Sequence, residues 1–421
     1  MLNVAVFVLL VAVFTQLIQD KVKLPASVST VVVVLMMKYA GFAGVITSHY
    51  QFDQIIFILL PILLTLDILH LHWSYVKKHA WSLFFAAGVS VALAVGAGVA
   101  ISEYMLPDYN LSIAAIVMLM CMVTATDPCS VSAIFSTQKV PKDLKVLVEG
   151  ESCFNDATAL VMFSLALHAE TSVEAITIAD MGVRACLVVF GAVGIGAIIG
   201  WIGLLLMRAT KNVYIETCIL LLTPFASFAI TEHFHFSGIL AIIVSVMLTN
   251  TVLLNRIRSI EEALAKNAGN IMAIVDKENH EAIQKFIQLL GIFAVTIMFL
   301  ALADMVDFAQ LKKYWKEIVS VFVASTLIRI VVMANFSILS NTIRGMHNIS
   351  FSWYKVMVFG GVKGCLSLIM LHLIPDTATY KTLFEAIVTG VILLTTFIYP
   401  LFLVGTIKFY GDRINPEKAI Q

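Results

Sequence analysis

Runs of apolar residues long enough to cross a bilayer recur along the whole chain, separated by short polar breaks. Taking about 18 or more mostly apolar residues as one crossing, the pattern predicts about thirteen helices. They fall at 2–19, 24–47, 55–72, 81–101, 111–136, 144–168, 181–207, 213–230, 236–254, 286–302, 318–340, 351–374 and 383–407. The fold class this predicts is an all-α integral membrane protein, one membrane domain over 1–421 with a short tail at 408–421. Composition agrees, since 60% of residues are hydrophobic, only 13% are charged, and the mean hydropathy is +0.96, outside the range of ordinary soluble domains. The first run has no basic stretch before it and is followed by Lys21 and Lys23, not by a small-residue cleavage site. It reads as a retained helix and not as a secretory leader.

Loop charge sets the expected orientation, because cytoplasmic loops are rich in Lys and Arg. Lys21 and Lys23, Lys77 and Lys78, Lys139 and Lys142, Arg208 and Lys211, Arg256 and Arg258, and Arg344 follow alternate runs, while most intervening loops carry no such residues. The N-terminus is expected outside and the C-terminus, with Lys408, Arg413 and Lys418, in the cytoplasm of a cell with this protein in its (inner) membrane. Lys312, Lys313 and Lys316 dissent, on the expected outer side, but Asp304, Asp307 and Glu317 sit among them. Trp73, Trp81, Trp201, Trp315 and Trp353 lie near run ends, as interfacial belts do. The polar connector 255–285 reads as a cytoplasmic helix extension or linker.

Zero formal net charge, and the lack of a basic tail or a Gly-rich phosphate loop, argue against nucleic acid and phosphate chemistry. No zinc-ligand spacing occurs, so neither a structural metal nor a cofactor is expected. Cys121, Cys129, Cys153, Cys186, Cys218 and Cys365 all stand in apolar runs and read as small core residues. Gly191, Gly194, Gly196, Gly200 and Gly203 give the seventh run a small face, suited to close helix packing or, as the lesser reading, a subunit contact.

An odd number of runs with similar halves suggests two inverted repeats, 1–168 and 213–407, joined by the run at 181–207. The fifth and twelfth runs are each interrupted at mid-length, by Thr126-Asp127-Pro128 and by Gly360-Gly361-Val362-Lys363-Gly364. Pro128 has no amide hydrogen and the glycines loosen the backbone, so both stretches can leave helical geometry. Broken helices at matching places in two halves point to a transport site.

The sixth run carries the densest polar set, Glu149, Glu151, Ser152, Asn155 and Asp156. A carboxylate at the bilayer centre costs about 2.5–3.5 kcal/mol on insertion scales, so several in one stretch need a use. Ser152 and Asp156 are four apart and share a helix face with Glu149; Glu151 and Asn155 share the next face. The plain alternative is a buried network in which these groups merely satisfy one another. A carboxylate withdrawn from water can instead hold a proton or, with other oxygens, a small cation, and the two compete for it. Asp156 with Ser152 and Thr126 supplies hard oxygen ligands for an alkali cation, and one titrating group suggests one proton per cation. Asn155 does not titrate; its amide can tie the run to the unwound fifth helix, with Asp127 one candidate partner.

Thr126-Asp127-Pro128 followed by Glu149-Gly150-Glu151-Ser152-x-x-Asn155-Asp156 resembles the NhaP and NHE branch of the cation:proton antiporters, and Gly361-Val362-Lys363-Gly364 is similar to that family's stretch in the twelfth helix. The resemblance covers the whole membrane region. It implies an NhaA-like fold with crossed broken helices and a homodimer. It also implies Asp156 as the proton and cation carrier, Thr126 and Ser152 as cation ligands, Asp127 as the partner orienting Asn155, and an ion pair between Glu151 and Arg329. Two departures stand out. The acid common in the family's third helix is replaced by Leu66, leaving the neighbouring Asp67 as the one candidate cation ligand there, and Lys363 stands where an Arg is usual, losing the bidentate fork.

The expected function is therefore Na+ or Li+ exchange for H+ by alternating access, serving pH homeostasis, and no enzyme activity. A K+/H+ antiporter of the same fold is the alternative. An intramembrane aspartyl protease using Asp127 and Asp156 is remote, because the Gly-x-Gly-Asp signature is missing, and a passive channel would not need paired broken helices. His70, His72, His233 and His235 lie near run ends and read as interfacial anchors more readily than as pH sensors.

Overall fold

The computed structural model describes residues 2–22, 26–39, 49–69, 71, 73–138, 140–172, 178–265, 271–343 and 346–414. Lys23, His70, His72, Lys139, Arg344, Lys418 and the 40–47 end of the second run lie outside them. For Trp73, Arg256, Arg258, Asp304 and Arg413 only the backbone is described.

The described residues form helices and their connections, with no strand among them. The main helices are α1 (Leu2–Val22), α2 (Ala26–Met37), α3 (His49–Leu69), α4 (Ala80–Ala100), α5 (Ile113–Thr124), α6 (Pro128–Thr137), α7 (Lys142–Thr171) and α8 (Ile178–Ala209). They continue with α9 (Val213–His233), α10 (Gly238–Ala265), α11 (Ile271–Met305), α12 (Trp315–Thr342), α13 (Phe351–Phe359), α14 (Cys365–His372) and α15 (Lys381–Phe409). Among the described residues each apolar run falls on one helix, except that the fifth is divided between α5 and α6 and the twelfth between α13 and α14. Much of the connector 255–285 is helical too, as the end of α10 and the start of α11. Among the described residues, seven spans are long and apolar enough to cross a membrane, including Ala80–Ala100, Ile113–Phe135 and Lys381–Phe409. α7 is as long but less apolar, because Asp143, Lys145, Glu149, Glu151 and Asp156 occupy its first half.

Local chemistry marks the helix starts. Ser112, Asp127, Asn212 and Ser350 accept backbone N–H bonds at the first turns of α5, α6, α9 and α13, satisfying donors that have no partner inside the helix. Pro128 occupies the first turn of α6, where its missing N–H does no harm. α4 contains a π-helical turn at Phe84–Val89, and Ser90 Oγ donates to the Phe85 carbonyl at 2.9 Å.

The chain forms two compact units. The first comprises Met1–Asp53, Lys78–Met181 and Thr296–Gln421. Its interior is built on α5, whose Met118, Leu119, Met120, Cys121 and Met122 are all buried, as an all-round apolar helix requires. α4 and α7 pack against α5. Val131, Leu144, Val148, Phe336, Val356, Val362, Tyr399 and Leu403 form one apolar cluster around the breaks in the fifth and twelfth runs.

The second unit comprises Gln54–Lys77 and Gly182–Val295. Leu69, Met207, Leu220, Leu253, Ile283 and Ile287 make its core, and Asn250 Nδ2 donates to the Leu69 carbonyl at 3.1 Å, holding the end of α3. α8 turns Leu187, Phe190, Ile198 and Trp201 outward, as a lipid-facing helix does. Its opposite face is the small one. A Cβ at Gly196 would lie 2.6 Å from the Ala241 carbonyl oxygen and one at Gly200 would lie 2.7 Å from Ser245 Cα, so α8 and α10 approach backbone to backbone. At Gly194 a Cβ would meet nothing within 4 Å.

That contrast makes a stability prediction. Gly196→Ala must push α10 away and is expected to destabilise by about 1–3 kcal/mol. Gly194→Ala gains helix propensity and is expected to be neutral or stabilising by up to about 1 kcal/mol. Melting temperatures of the detergent-purified variants check both; equal behaviour of the two would refute the packing account.

Candidate functional site

The two interrupted runs meet in the first unit. α5 ends at Thr124, and Ala125 and Asp127 adopt extended conformations before α6 begins. α13 ends at Phe359, and Gly364 is extended before α14 begins at Cys365. The unwound segments touch directly: Asp127 N–H donates to the Val362 carbonyl at 2.7 Å. A Cβ at Gly364 would sit 2.5 Å from Asp127 Cβ, so only glycine permits this crossing. Ser367 Oγ of α14 donates to the Met122 carbonyl at 2.6 Å, adding a second tie between the two runs.

A helix that ends inside a membrane leaves carbonyls without water to bind, and these must find donors in the protein. At the end of α5, the Thr124 carbonyl accepts from Lys363 Nζ at 3.3 Å and from Asn155 Nδ2 at 3.1 Å. At the end of α13, the Met357 and Val358 carbonyls accept from Arg329 Nη2 at 2.9 Å and Nε at 3.0 Å. Each broken helix thus has a basic side chain at its negative end. Arg329 completes its fork on Glu151, with Nη1 to Oε1 at 3.3 Å and Nη2 to Oε2 at 3.0 Å, and both residues are buried. Gly361 makes room for it, since a Cβ there would lie 2.2 Å from Arg329 Nε. A cavity beside this network is lined by Thr124, Glu151, Asn155, Arg329 and Lys363 together with apolar residues of α4 and α12.

Asp156 and its neighbours stand on α7 against the unwound segment of the fifth run. Asp156 Oδ1 accepts the Thr126 backbone N–H at 3.2 Å. Asn155 Nδ2 also reaches Thr126 Oγ1, at 3.3 Å. Thr126, Ser152, Asn155 and Asp156 are all buried. Ser152 Oγ, one helical turn before Asp156, and Asn155 Oδ1 are buried without a hydrogen-bond partner. The site therefore presents a carboxylate, two hydroxyls and an amide oxygen within two helical turns and one loop.

Asn155 is tied to Thr124 and Thr126 and not to Asp127. The reason is local: Asp127 caps α6, accepting from the Cys129 and Ser130 amides at 3.2 and 3.3 Å and from Ser130 Oγ. With Pro128 at the first position of α6, these amides are the donors in need, and they occupy both Asp127 oxygens. Glu149, also buried, accepts from Ser132 Oγ and lies 3.7 Å from Lys145. Asp67 is half-buried on α3 in the second unit. His233 and His235 are exposed at the end of α9.

Sequence reasoning missed the backbone acceptors at Thr124, Met357 and Val358, which carry no side-chain signal. It also missed Thr395, whose Oγ1 accepts the Lys363 backbone N–H at 3.3 Å. Thr395-Thr396 in the middle of an otherwise apolar run was the available clue.

A family model described as "Sodium/hydrogen exchanger, transmembrane" matches residues 6–408. The chain is 24% identical over 387 residues to the Na(+)/H(+) antiporter ApNhaP of Aphanothece halophytica, covering 91% of this chain and 70% of that protein. It is 33% identical over 197 residues to the Na(+)/H(+) antiporter NhaH of Halobacillus aidingensis, covering 45% and 47% respectively. Among solved structures, that of the sodium proton antiporter MjNhaP1 from Methanocaldococcus jannaschii shares the fold, with a TM-score of 0.74 at 15% identity over 96% of this chain and 99% of that one.

Removing one partner of a buried ion pair leaves the other charge stranded. Glu151→Leu is accordingly expected to destabilise the protein by about 3–5 kcal/mol, whereas Glu151→Leu with Arg329→Met should recover part of the loss. Melting of the purified variants measures this, and a single variant as stable as the parent would refute the pairing.

Proposed function

The chain belongs to the transmembrane sodium/hydrogen exchanger family, and from that premise we propose that it exchanges Na+, or Li+, for H+ with Asp156 as the shared carboxylate. One observation carries the reading: a buried carboxylate at a helix break, accepting the Thr126 amide, with the unpartnered hydroxyl of Ser152 one turn away. Hard oxygens in that arrangement suit an alkali cation, and the names of the relatives point to Na+. When a proton occupies Asp156 the carboxyl loses the charge that attracts the cation, so the two occupants exclude each other. Thr126 and Ser152 complete the cation's shell, and Asn155 holds α7 to the end of α5. Glu151 and Arg329 form the structural ion pair, Asp127 fixes the start of α6, and Lys363 closes the end of α5.

A single titrating carboxylate gives one proton per cation and electroneutral transport. Alternating access follows from two inverted repeats, 1–168 and 213–407, a reading supported by the interruptions in the fifth and twelfth runs. The loop charges favour an outside N-terminus and a cytoplasmic C-terminus in the cell membrane, and the family reading favours a homodimer.

Asp156→Asn is expected to reduce cation-driven proton flux in proteoliposomes to background while the protein still purifies as a folded species. Dequenching of a pH dye after addition of sodium, lithium or potassium chloride measures the flux and its selectivity. Retained exchange in the variant would end the proposal, and a sustained dependence of the rate on membrane voltage would end the one-to-one stoichiometry.

A further inference from the structure

Three polar side chains converge in the first unit, away from the crossed breaks. His79 precedes α4, Asp143 lies in the first turn of α7, and His347 stands in the connection between α12 and α13. Each offers one ligand atom, and these atoms all lie within 4.8 Å of one another. His79 Nε2 lies 3.2 Å from Asp143 Oδ1, and the two imidazoles meet edge to face with centroids 4.9 Å apart. His79 is only 2% exposed, so its polar edge is committed to this cluster.

We propose that His79, Asp143 and His347 form a binding site for a zinc-class divalent ion, with a fourth position left to water. Two imidazoles and one carboxylate suit Zn2+, Co2+ or Ni2+ and not the all-oxygen preference of Mg2+ or Ca2+. The segment that holds His347 is itself fixed. The His347 backbone N–H donates to Ser82 Oγ at 3.1 Å and its carbonyl accepts from Ser340 Oγ at 2.5 Å. Two residues on, Ile349 N–H donates to Asn341 Oδ1 at 2.8 Å. The His347 ring stacks on Trp353 at 5.0 Å. Tetrahedral coordination needs ligand atoms roughly 3.3 Å apart, so binding must draw these atoms closer together.

Burial, with His79 beside it, holds His347 below the usual imidazole range. Burial pushes Asp143 upward, but the His79 hydrogen bond and the Lys78 charge outweigh it and keep the carboxyl below its ordinary range. Lys78 Nζ, 3.4 Å from Asp143 Oδ2, is the countercharge an ion would displace, and its side chain is 58% exposed and able to swing away.

The three segments follow the third, fifth and eleventh apolar runs, which the loop charges assign to one side of the membrane, the cytoplasmic one. A bound ion would tie the start of α7, the helix that carries Asp156, to α4 and to the entry of α13. No sequence motif announces the site because its ligands are far apart in the chain.

Metal-stripped protein in detergent is titrated with Co2+ and then with Zn2+. The expected result is one tetrahedral Co2+ absorption per chain, displaced by Zn2+, and a rise in melting temperature with Zn2+ alone. His347→Ala and Asp143→Asn each remove a direct ligand and should weaken Zn2+ binding by more than the roughly 10- to 100-fold that loss of an outer-shell partner causes. Absence of the Co2+ band in the parent protein, which needs no variant to fold, would overturn the proposal, as would unchanged Zn2+ affinity in His347→Ala.

Discussion

The structure around the site depends on one constraint: a helix broken inside a membrane exposes carbonyls that only the protein can satisfy. Lys363 and Arg329 meet it, one at the end of α5 and the other at the end of α13. Both bring positive charge to the interior, and Glu151 balances Arg329 through two bonds. Remove the breaks and these three charged residues have no reason to be buried. Keep the breaks without them and several backbone acceptors are stranded. The crossing itself, fixed by the bond from Asp127 to Val362 and by the space that Gly364 leaves, sets where Thr126 points its amide and hence where Asp156 is held.

Much of this was legible in the residues. Pro128 lacks a donor and Gly360, Gly361 and Gly364 lack side chains, so the interruptions could be read from covalent structure alone. Glu151 and Asp156, with Ser152 and Asn155 between them, stood out because charged and polar groups in an apolar run are expensive. The partner of Asn155 was less legible. Asp127 looked available in the sequence, but the first turn of α6 uses both its oxygens, and Asn155 turns to Thr124 and Thr126 instead. That competition is invisible until the backbone path is known. Backbone acceptors at Met357 and Val358 were unreadable for a simpler reason, since every residue has a carbonyl. The π-helical turn in α4 and the meeting of His79, Asp143 and His347 likewise come from tertiary placement and leave no periodic trace.

Fixed and unfixed polar atoms divide cleanly in the site. Arg329, Glu151 and Asp127 are each held by two or more side-chain bonds, which suits residues that build a frame. Ser152 Oγ remains without a partner although buried, which suits a group whose partner comes and goes in the proposed exchange. A transport site needs both kinds, because binding must be strong enough to strip an ion of water and weak enough to release it. Asp156 links the two sets through the Thr126 amide.

The central claim is that one carboxylate serves two occupants, and proton release on cation binding tests it most directly. In weakly buffered detergent solution, addition of Na+ to the purified protein should release one proton for each Na+ bound, and the apparent Na+ affinity should fall as pH is lowered. The Asp156→Asn variant should release none. Na+ binding to the parent protein without proton release, or release undiminished in the variant, would contradict the account.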